Sequence, residues 1–512
     1  MRSADYWLRV ALMRELDAHN RGAYTIQELR RMYDSIIKDI DKEIKKIFNT
    51  YKNGVQITAE EAEQLINKAA QNQIADRLSE ILKDTEDPKQ RLELMRKIHA
   101  QAYGARISRL EAVKLNVYAY FKEKALTEIE KTKTLYNTVI EESYYRTVHD
   151  IAKGCNVGVY FSLIPKRAVN EMLGSKWHGE QFSDRVWNNT AKVAEQSQKI
   201  ITEGLMSHAG YTQMAARLAE IMETSKYNAQ RLVNTQVSYF MNMAELRAYE
   251  ELGIEQYKYL ATLDERTCES CSPLDNKIFK VSEAVGGVNY PPMHPHCRCT
   301  TTMPTDYARR WARDPLTGKG YKIKGMNYNE WIESLNPEQR LAFDLHVRQY
   351  KNLSGDKKQY AKYVEVLGKK NVPKTFALFQ DLKYNDNKLW ESLKDYYKSR
   401  STNMISAFTS FEDYKKYKQI ISDELIGLTT VDGIKIKSQS KHFIERVFGT
   451  NKDPITGRTR NGVEIKDIKE ALLHGRVRKK KCSTKYVSDK CEVSINQRTG
   501  NLIQTNPHSE IR

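Results

Sequence analysis

At 512 residues, with 40% hydrophobic and 29% charged positions, the chain is long enough for about three or four ordinary domains, which excludes a small peptide module and wholesale disorder. Mean hydropathy is −0.67, and no uncharged run approaches the ~18 residues of a spanning helix. Met1 to Arg14 lacks the apolar stretch of a signal peptide, so we expect no membrane partner and synthesis in the cytoplasm. Lys and Arg (83) exceed Asp and Glu (65) to give +18, and half of that excess lies in Asp432 to Arg512, where 18 basic residues face 9 acidic ones. A surplus so placed favours polyanionic partners.

The first 150 residues read as helix. Thr25 with Glu28, and Thr58 with Glu61, have capping-box spacing ahead of apolar stripes; Leu29, Met32, Tyr33, Ile36, Ile37, Ile40, Ile44 and Ile47 trace one face. Gly154 to Pro165 (GCNVGVYFSLIP) interrupts the helices and predicts a domain boundary with a short buried segment. Trp177, Phe182 and Trp187 then introduce a helix to about Gly204, and Ala229, Leu232, Val233, Phe240 and Ala244 mark another that stops near Gly253. Directly afterwards the period falls to 2 at Tyr257, Tyr259, Ala261 and Leu263, which predicts a strand feeding a turn at Asp264. From Asp306 to about Thr430 the pattern is again helical and polar. Its aromatics Trp331, Phe343, Tyr350, Tyr360 and Tyr363 suit helix packing better than nucleic-acid stacking. The last segment predicts helices at Lys441 to Phe448 and Ile465 to Leu473, then strands around the turn NQRTG.

Four of the seven cysteines fall between Cys268 and Cys299, whereas Cys155, Cys482 and Cys491 stand alone. Cys268-x-x-Cys271 can bring two thiolates onto one ion, and Cys297 and Cys299 point to the same side of an extended segment. His294 and His296 compete for any remaining position. Six candidates for four places leave the ligand set open between zinc binding and a metal-free cysteine core. A closed set makes a structural zinc, not a catalytic one.

The run from Tyr259 to Phe279 (YLATLDERTCESCSPLDNKIF), followed by Tyr290 to Cys299 (YPPMHPHCRC), resembles the signature of the Mu F-like head morphogenesis family, minor capsid proteins of tailed phages and prophages. The likeness extends over about Val157 to Pro304. It departs at Arg231 to Gln236 (RLVNTQ), where the family pattern has Arg-Thr-Glu. The family's motif falls here on Asp264, Arg266, Thr267, Cys271, His294, Cys297 and Arg298. The resemblance implies a virion protein of the procapsid interior, made in the bacterial host cytoplasm, with portal and capsid proteins as partners. Asp264 and Arg298 are expected to pair and close the loop.

The basic tail, from Ser440-Lys-His442 through the strand Cys491 to Asn496 to Leu502-Ile-Gln-Thr505, resembles phage-encoded members of the Barnase-EndoU-Colicin-RelE ribonuclease class. That resemblance implies RNA cleavage without a metal, and an immunity protein as partner. Metal-free cleavage needs a base, an acid and a cation. His442 suits base or acid, Arg446 one turn later suits the phosphate, and Lys485, Tyr486, Thr505 and His508 are the partners offered by the strands. The alternative is a tail that binds DNA or RNA without cutting it. The expected fold class is therefore α+β and multidomain: a helical region (1–156), a small α+β Mu F-like core (157–305), a helical linker region (306–431) and a compact α+β C-terminal domain with an antiparallel sheet (432–512).

Overall fold

A computed structural model describes residues 2–49, 63–158, 163–206, 211–306, 309–450 and 460–508. The chain divides into two compact units, Met1–Arg340 and Leu341–Arg512, and is α+β throughout, with long helices and small, mostly antiparallel sheets. No helix among the described residues is long and apolar enough to cross a membrane.

Among the described residues the first unit is built on the helices α1 (Ala4–Asn49), α2 (Lys68–Asp84), α3 (Pro88–Tyr103), α4 (Arg109–Cys155), α5 (Lys166–Leu173), α6 (Phe182–Met206) and α7 (Tyr211–Glu251), with a shorter helix after the sheets. Helices α1, α4, α6 and α7 pack on one another, and their apolar stripes, among them Leu29, Tyr33, Ile36, Ile40, Tyr136, Ile140, Val233 and Phe240, form one core. Ser108 starts α4 by accepting the Glu111 amide at 3.2 Å, and Asn156 ends it in the left-handed region at φ 56°. Close approach is needed at Gly154, where an added Cβ would sit 2.1 Å from the Trp7 ring. The Thr25 and Glu28 pair does not begin a helix: α1 runs unbroken through it, and Thr25 is buried. The same i, i+3 spacing occurs wherever a helix continues, and here the packed stripe on both sides carries it on. Thr58 and Glu61 lie outside the described residues, as do positions 159–162 of the expected boundary segment.

After Gly253, in the left-handed region at φ 66°, the chain enters a three-stranded antiparallel sheet in which β1 (Gln256–Leu260) lies between β2 (Ile278–Lys280) and β3 (Thr300–Thr302). β1 is buried on both faces, and even Lys258 is covered, its Nζ donating to Thr305 O at 2.7 Å and meeting Asp306 at 3.0 Å. The expected helical reading of the stretch after Asp306 misses a hairpin of β4 (Arg309–Arg313) and β5 (Gly320–Lys324). Its turn is tied by the Asp314 carboxylate and Gly318 at φ 66°. α8 (Tyr328–Ser334) follows behind a capping box of Asn327 and Glu330. α9 (Pro337–Lys351) spans the division between the units.

In the second unit, α10 (Leu353–Leu367), α11 (Phe376–Asn385), α12 (Asn387–Ser401) and α13 (Phe411–Leu425) precede the mixed segment. That segment carries β6 (Ser438–Gln439), α14 (Lys441–Phe448), the short pair β7 (Gly449–Thr450) and β8 (Arg460–Asn461), and α15 (Ile465–His474). It ends in β9 (Arg476–Lys479), β10 (Ser483–Val487), β11 (Cys491–Asn496) and β12 (Asn501–Pro507). The sheet order is β6-β12-β11-β10-β9, antiparallel apart from the β6/β12 edge. One continuous core joins Tyr363, Phe379, Trp390, Tyr396 and Tyr414 of the helices to Phe443, Ile468, Tyr486, Val493 and Leu502. The segment expected as a linker, 306–431, is thus split: its first part lies in the first unit, and its helices from Leu353 share a core with the C-terminal segment. Trp331, Phe343 and Tyr363 are buried as packing predicts, whereas Tyr350 is exposed.

Candidate metal centre and charged loop

Between β1 and β3 the chain is regular only in β2 and two short 3-10 turns, Ser272–Leu274 and Val281–Glu283, so much of its shape comes from side chains. Two carboxylates supply it. Asp264, fully buried, accepts both guanidinium nitrogens of Arg298 at 2.5 and 2.7 Å and the Arg266 amide at 3.0 Å. Burial alone would raise the Asp264 carboxyl, but Arg298 and then Arg266 hold it below the ordinary carboxylate range. Asp275 meets Arg310 at 2.5 and 2.8 Å, and also accepts the amides of Ala261 and Tyr328, each at 2.8 Å. These bidentate pairs clamp both ends of the Cys268–Cys271 turn. Arg310 and Asp275 carry no motif of their own; strand pairing of β4 brings Arg310 in, which no local spacing signals.

Within this frame the ligand-type side chains converge. Cys268, Cys271 and His294 form one group, and Cys271, Cys297 and Cys299 a second, the ligand atoms of each group lying within 4.8 Å of one another. Cys271 belongs to both. Its Sγ stands 3.9 Å from Cys297 Sγ and 3.3 Å from His294 Nε2. Two thiolates on one tetrahedral zinc stand about 3.8 Å apart, so the first separation suits a shared ion. His294 Nδ1 lies 2.8 Å from Pro295 O, which assigns its proton to Nδ1 and leaves the Nε2 lone pair facing Cys271, the tautomer a metal-ligating histidine uses. Hydrogen bonds from Cys271 and Cys299 pull the Cys297 thiol well below its usual range, and the same sharing pushes Cys271 and Cys299 up. His296 is outside both groups: its backbone is left-handed at φ 61° and its N–H donates to Thr235 Oγ1 at 3.1 Å. The RLVNTQ segment of α7 thereby anchors the loop through Thr235.

Helices bring further charge that the sequence patterns did not single out. Arg14 of α1 donates to Glu245 of α7 at 2.8 Å and to Asp150 of α4 at 2.5 Å, and Glu245 also lies 3.4 Å from the hydroxyls of Thr300 and Thr301 on β3. Four elements are tied by one buried network. Glu15 and His19, 3.4 Å apart on α1, lie in the field of Arg298 and Cys297. Burial raises the Glu15 carboxyl to about 7, and burial with the Arg298 charge lowers His19 to about 4.

The candidate residues of the second unit stand on α14 and on the strands β10 and β12, of which β12 packs against α14. His442 Nδ1 lies 3.3 Å from buried Glu445, and Arg446 Nε donates to His442 Nε2 at 3.3 Å, so the two residues of α14 satisfy one another. Tyr486 and Thr505 sit on the sheet face turned to the core: Tyr486 donates to Asp432 at 2.6 Å and Thr505 to Glu492 O at 3.2 Å. Lys485, one residue from Tyr486, is on the opposite face and donates to Glu492 Oε1 at 2.7 Å.

Comparison with known proteins agrees with the loop signature. Residues 195–302 match the family described as Phage Mu protein F like protein. The minor head protein GP7 of Bacillus phage SPP1 is 27% identical over 249 residues, covering 43% of this chain and 76% of that protein. An uncharacterized protein of Haemophilus influenzae is 25% identical over 109 residues, covering 21% of this chain and 24% of its own length. No solved structure matches.

Proposed function

We propose that the chain is a minor capsid protein of a tailed phage or prophage, acting in head morphogenesis at the portal. The observation that carries this reading is the clamped Cys/His loop, Asp264 to Cys299, within the matched residues 195–302. The reading places the protein in the virion, inside the procapsid, with portal and capsid proteins as partners. A structural zinc on Cys271 with ligands drawn from Cys268, His294, Cys297 and Cys299 fits the loop, where it would cross-link two distant stretches of chain. Co-expression with the cognate portal and capsid proteins tests the role. The protein should sediment with procapsids, and removal of Leu341 to Arg512, the whole second unit, should leave that association intact. Loss of association with the first unit still folded would place head binding in the wrong half.

A second reading concerns the second unit: a ribonuclease-like toxin unit that needs no metal, with host RNA as substrate and an immunity protein as partner. It is favoured by a five-stranded sheet whose helices lie on one face and whose other face is polar and basic. Its rival is a nucleic-acid-binding unit that assists packaging or ejection of phage DNA. Incubating the full chain with RNA in EDTA separates them: cleavage supports the toxin reading, and retention of nucleic acid without cleavage supports the binding one.

A further inference from the structure

Between α6 and α7 of the first unit lies a cleft of about 270 Å³ whose walls are mostly hydrogen-bond donors. α6 brings Arg185, Asn188, Asn189 and Lys192, which at spacings of three and four residues share one helix face. α7 answers with Asn228, Arg231 and Thr235 at the same spacings, and on these two faces Leu232 is the apolar lining residue. The apolar stripes of both helices, among them Val193, Ala229 and Val233, close on the core beside it, which leaves the polar faces to a cleft of their own.

The charges around this cleft do not balance. Three cations line it with one carboxylate, Glu180, and that carboxylate is shared: Arg185 lies 3.8 Å from its Oε2, and Asn188 Nδ2 donates to its Oε1 at 3.3 Å. No carboxylate among the described residues stands within ion-pair distance of Lys192 or Arg231. Acceptors are short as well. The Asn189 side-chain oxygen is taken by Asn228 Nδ2 at 3.2 Å, and Thr235 Oγ1 donates to Arg231 O at 2.7 Å while accepting the His296 N–H. Arg185 is held against the Trp177 carbonyl, yet its Nε, like Nε1 of Trp177 on a side chain only 7% exposed, is buried with no acceptor among the described residues.

We propose that this cleft binds one phosphate group, as inorganic phosphate or a small phosphate monoester, with Lys192 and Arg231 as its ion-pairing contacts and Arg185 as a third, pre-positioned cation. A doubly charged ion with acceptor oxygens on several sides supplies what the walls lack, and two cations from different helices can both reach it. The cleft is smaller than the ~300 to 1,000 Å³ that ordinarily encloses a drug-sized ligand, and its walls are polar, so it suits a compact ion rather than an extended apolar molecule. Binding would join α6 to α7 one turn from Thr235, the residue that anchors the Cys/His loop, whose Pro295 also lines the cleft.

The test titrates the full chain with inorganic phosphate at constant ionic strength against chloride, followed by calorimetry and by thermal unfolding. Wild-type protein should take up phosphate saturably and unfold at a higher temperature as its concentration rises. Lys192→Gln and Arg231→Gln, both at exposed positions, should each weaken uptake ~10-fold or more and remove the stabilisation, whereas Arg231→Lys should keep part of it. Lys480→Gln, in the exposed basic run of the second unit, should change neither readout. Uptake that is equal in wild type, Lys192→Gln and Arg231→Gln, or none by ~10 mM phosphate, where a site of millimolar affinity is filled, overturns the site. A short single-stranded DNA that binds through the same two residues while inorganic phosphate does not bind overturns the small-ion assignment in favour of a nucleic-acid backbone.

Discussion

The Asp264–Cys299 loop of the first unit and the β9–β12 sheet of the second are both rich in polar and charged side chains, yet they organise them in opposite ways. In the loop the backbone is irregular around the ligand-type residues, outside β2 and two short 3-10 turns, so residues far apart in sequence, such as Cys271, His294 and Cys297, can turn toward one point once Arg298 and Arg310 have neutralised the carboxylates that shape it. In the sheet the pleat separates nearest neighbours: Lys485 goes to the polar face and Tyr486 to the core. Adjacent residues are a fair guide to a site only where the backbone is irregular. In a strand, the partners are two residues along or directly across.

That contrast can be broken most directly at the candidate metal centre. Cys271→Ser, which removes the sulfur common to both ligand groups, should take the purified protein from about one bound zinc to none. His296→Ala should leave the metal content unchanged, because His296 belongs to neither group. Metal analysis of protein prepared with reductant and without chelator checks both, and a zinc-free wild type would make the cluster a metal-free cysteine core.

The next largest effect should come from the clamp. Asp275→Ala strands a buried Arg310 and two backbone amides, so we expect about 3 to 5 kcal/mol of lost stability, measured by denaturant unfolding of the full chain. A loss below about 1 kcal/mol would mean that the loop holds its shape without its buried charges.

A pH dependence should distinguish the first unit as well. Glu128 is fully buried among apolar helices; its Oε2 accepts from Tyr33 at 2.8 Å, and Oε1 has no partner among the described residues. Burial raises its carboxyl from 4.5 to about 7. The folded state thus keeps a proton that the unfolded chain releases, so this contribution is whole below pH 4.5 and is lost as the pH rises to about 7. Glu128→Gln should recover up to about 3 kcal/mol at pH 8 and flatten the profile, with Glu15, raised in the same direction, accounting for a remaining slope. Thermal unfolding of both proteins at pH 5 and pH 8 measures it.

The smallest effect is expected on the polar sheet face. Lys485→Ala breaks a partly buried ion pair but leaves Glu492 its Asn506 partner, and should cost about 1 kcal/mol. A loss comparable to that of Asp275→Ala would erase the distinction between a charge-clamped loop and a sheet supported by its core.

The sequence by itself determined the elements whose signals are local. The helices at Lys441 to Phe448 and Ile465 to Leu473, the stop at Gly253, the strand at Tyr257, the hairpin around NQRTG and the Cys/His loop were all legible, because apolar periods, turn residues and ligand spacing act within a few residues. The Asp264–Arg298 pair was legible through family resemblance. Only the tertiary structure decided that α1 passes through Thr25 without a break, that Arg310 crosses from β4 to Asp275, that Arg14 joins Glu245 and Asp150, and that the helices from Leu353 share a core with β9–β12. It also decided which face of the sheet each polar residue takes, so that Glu492, never singled out, stands with Lys485 while Tyr486 and Thr505 do not. The physical reason is range: caps and periods are set by neighbours along the chain, whereas buried charge pairs and strand register are set by whichever distant segment supplies the matching group once the core has closed.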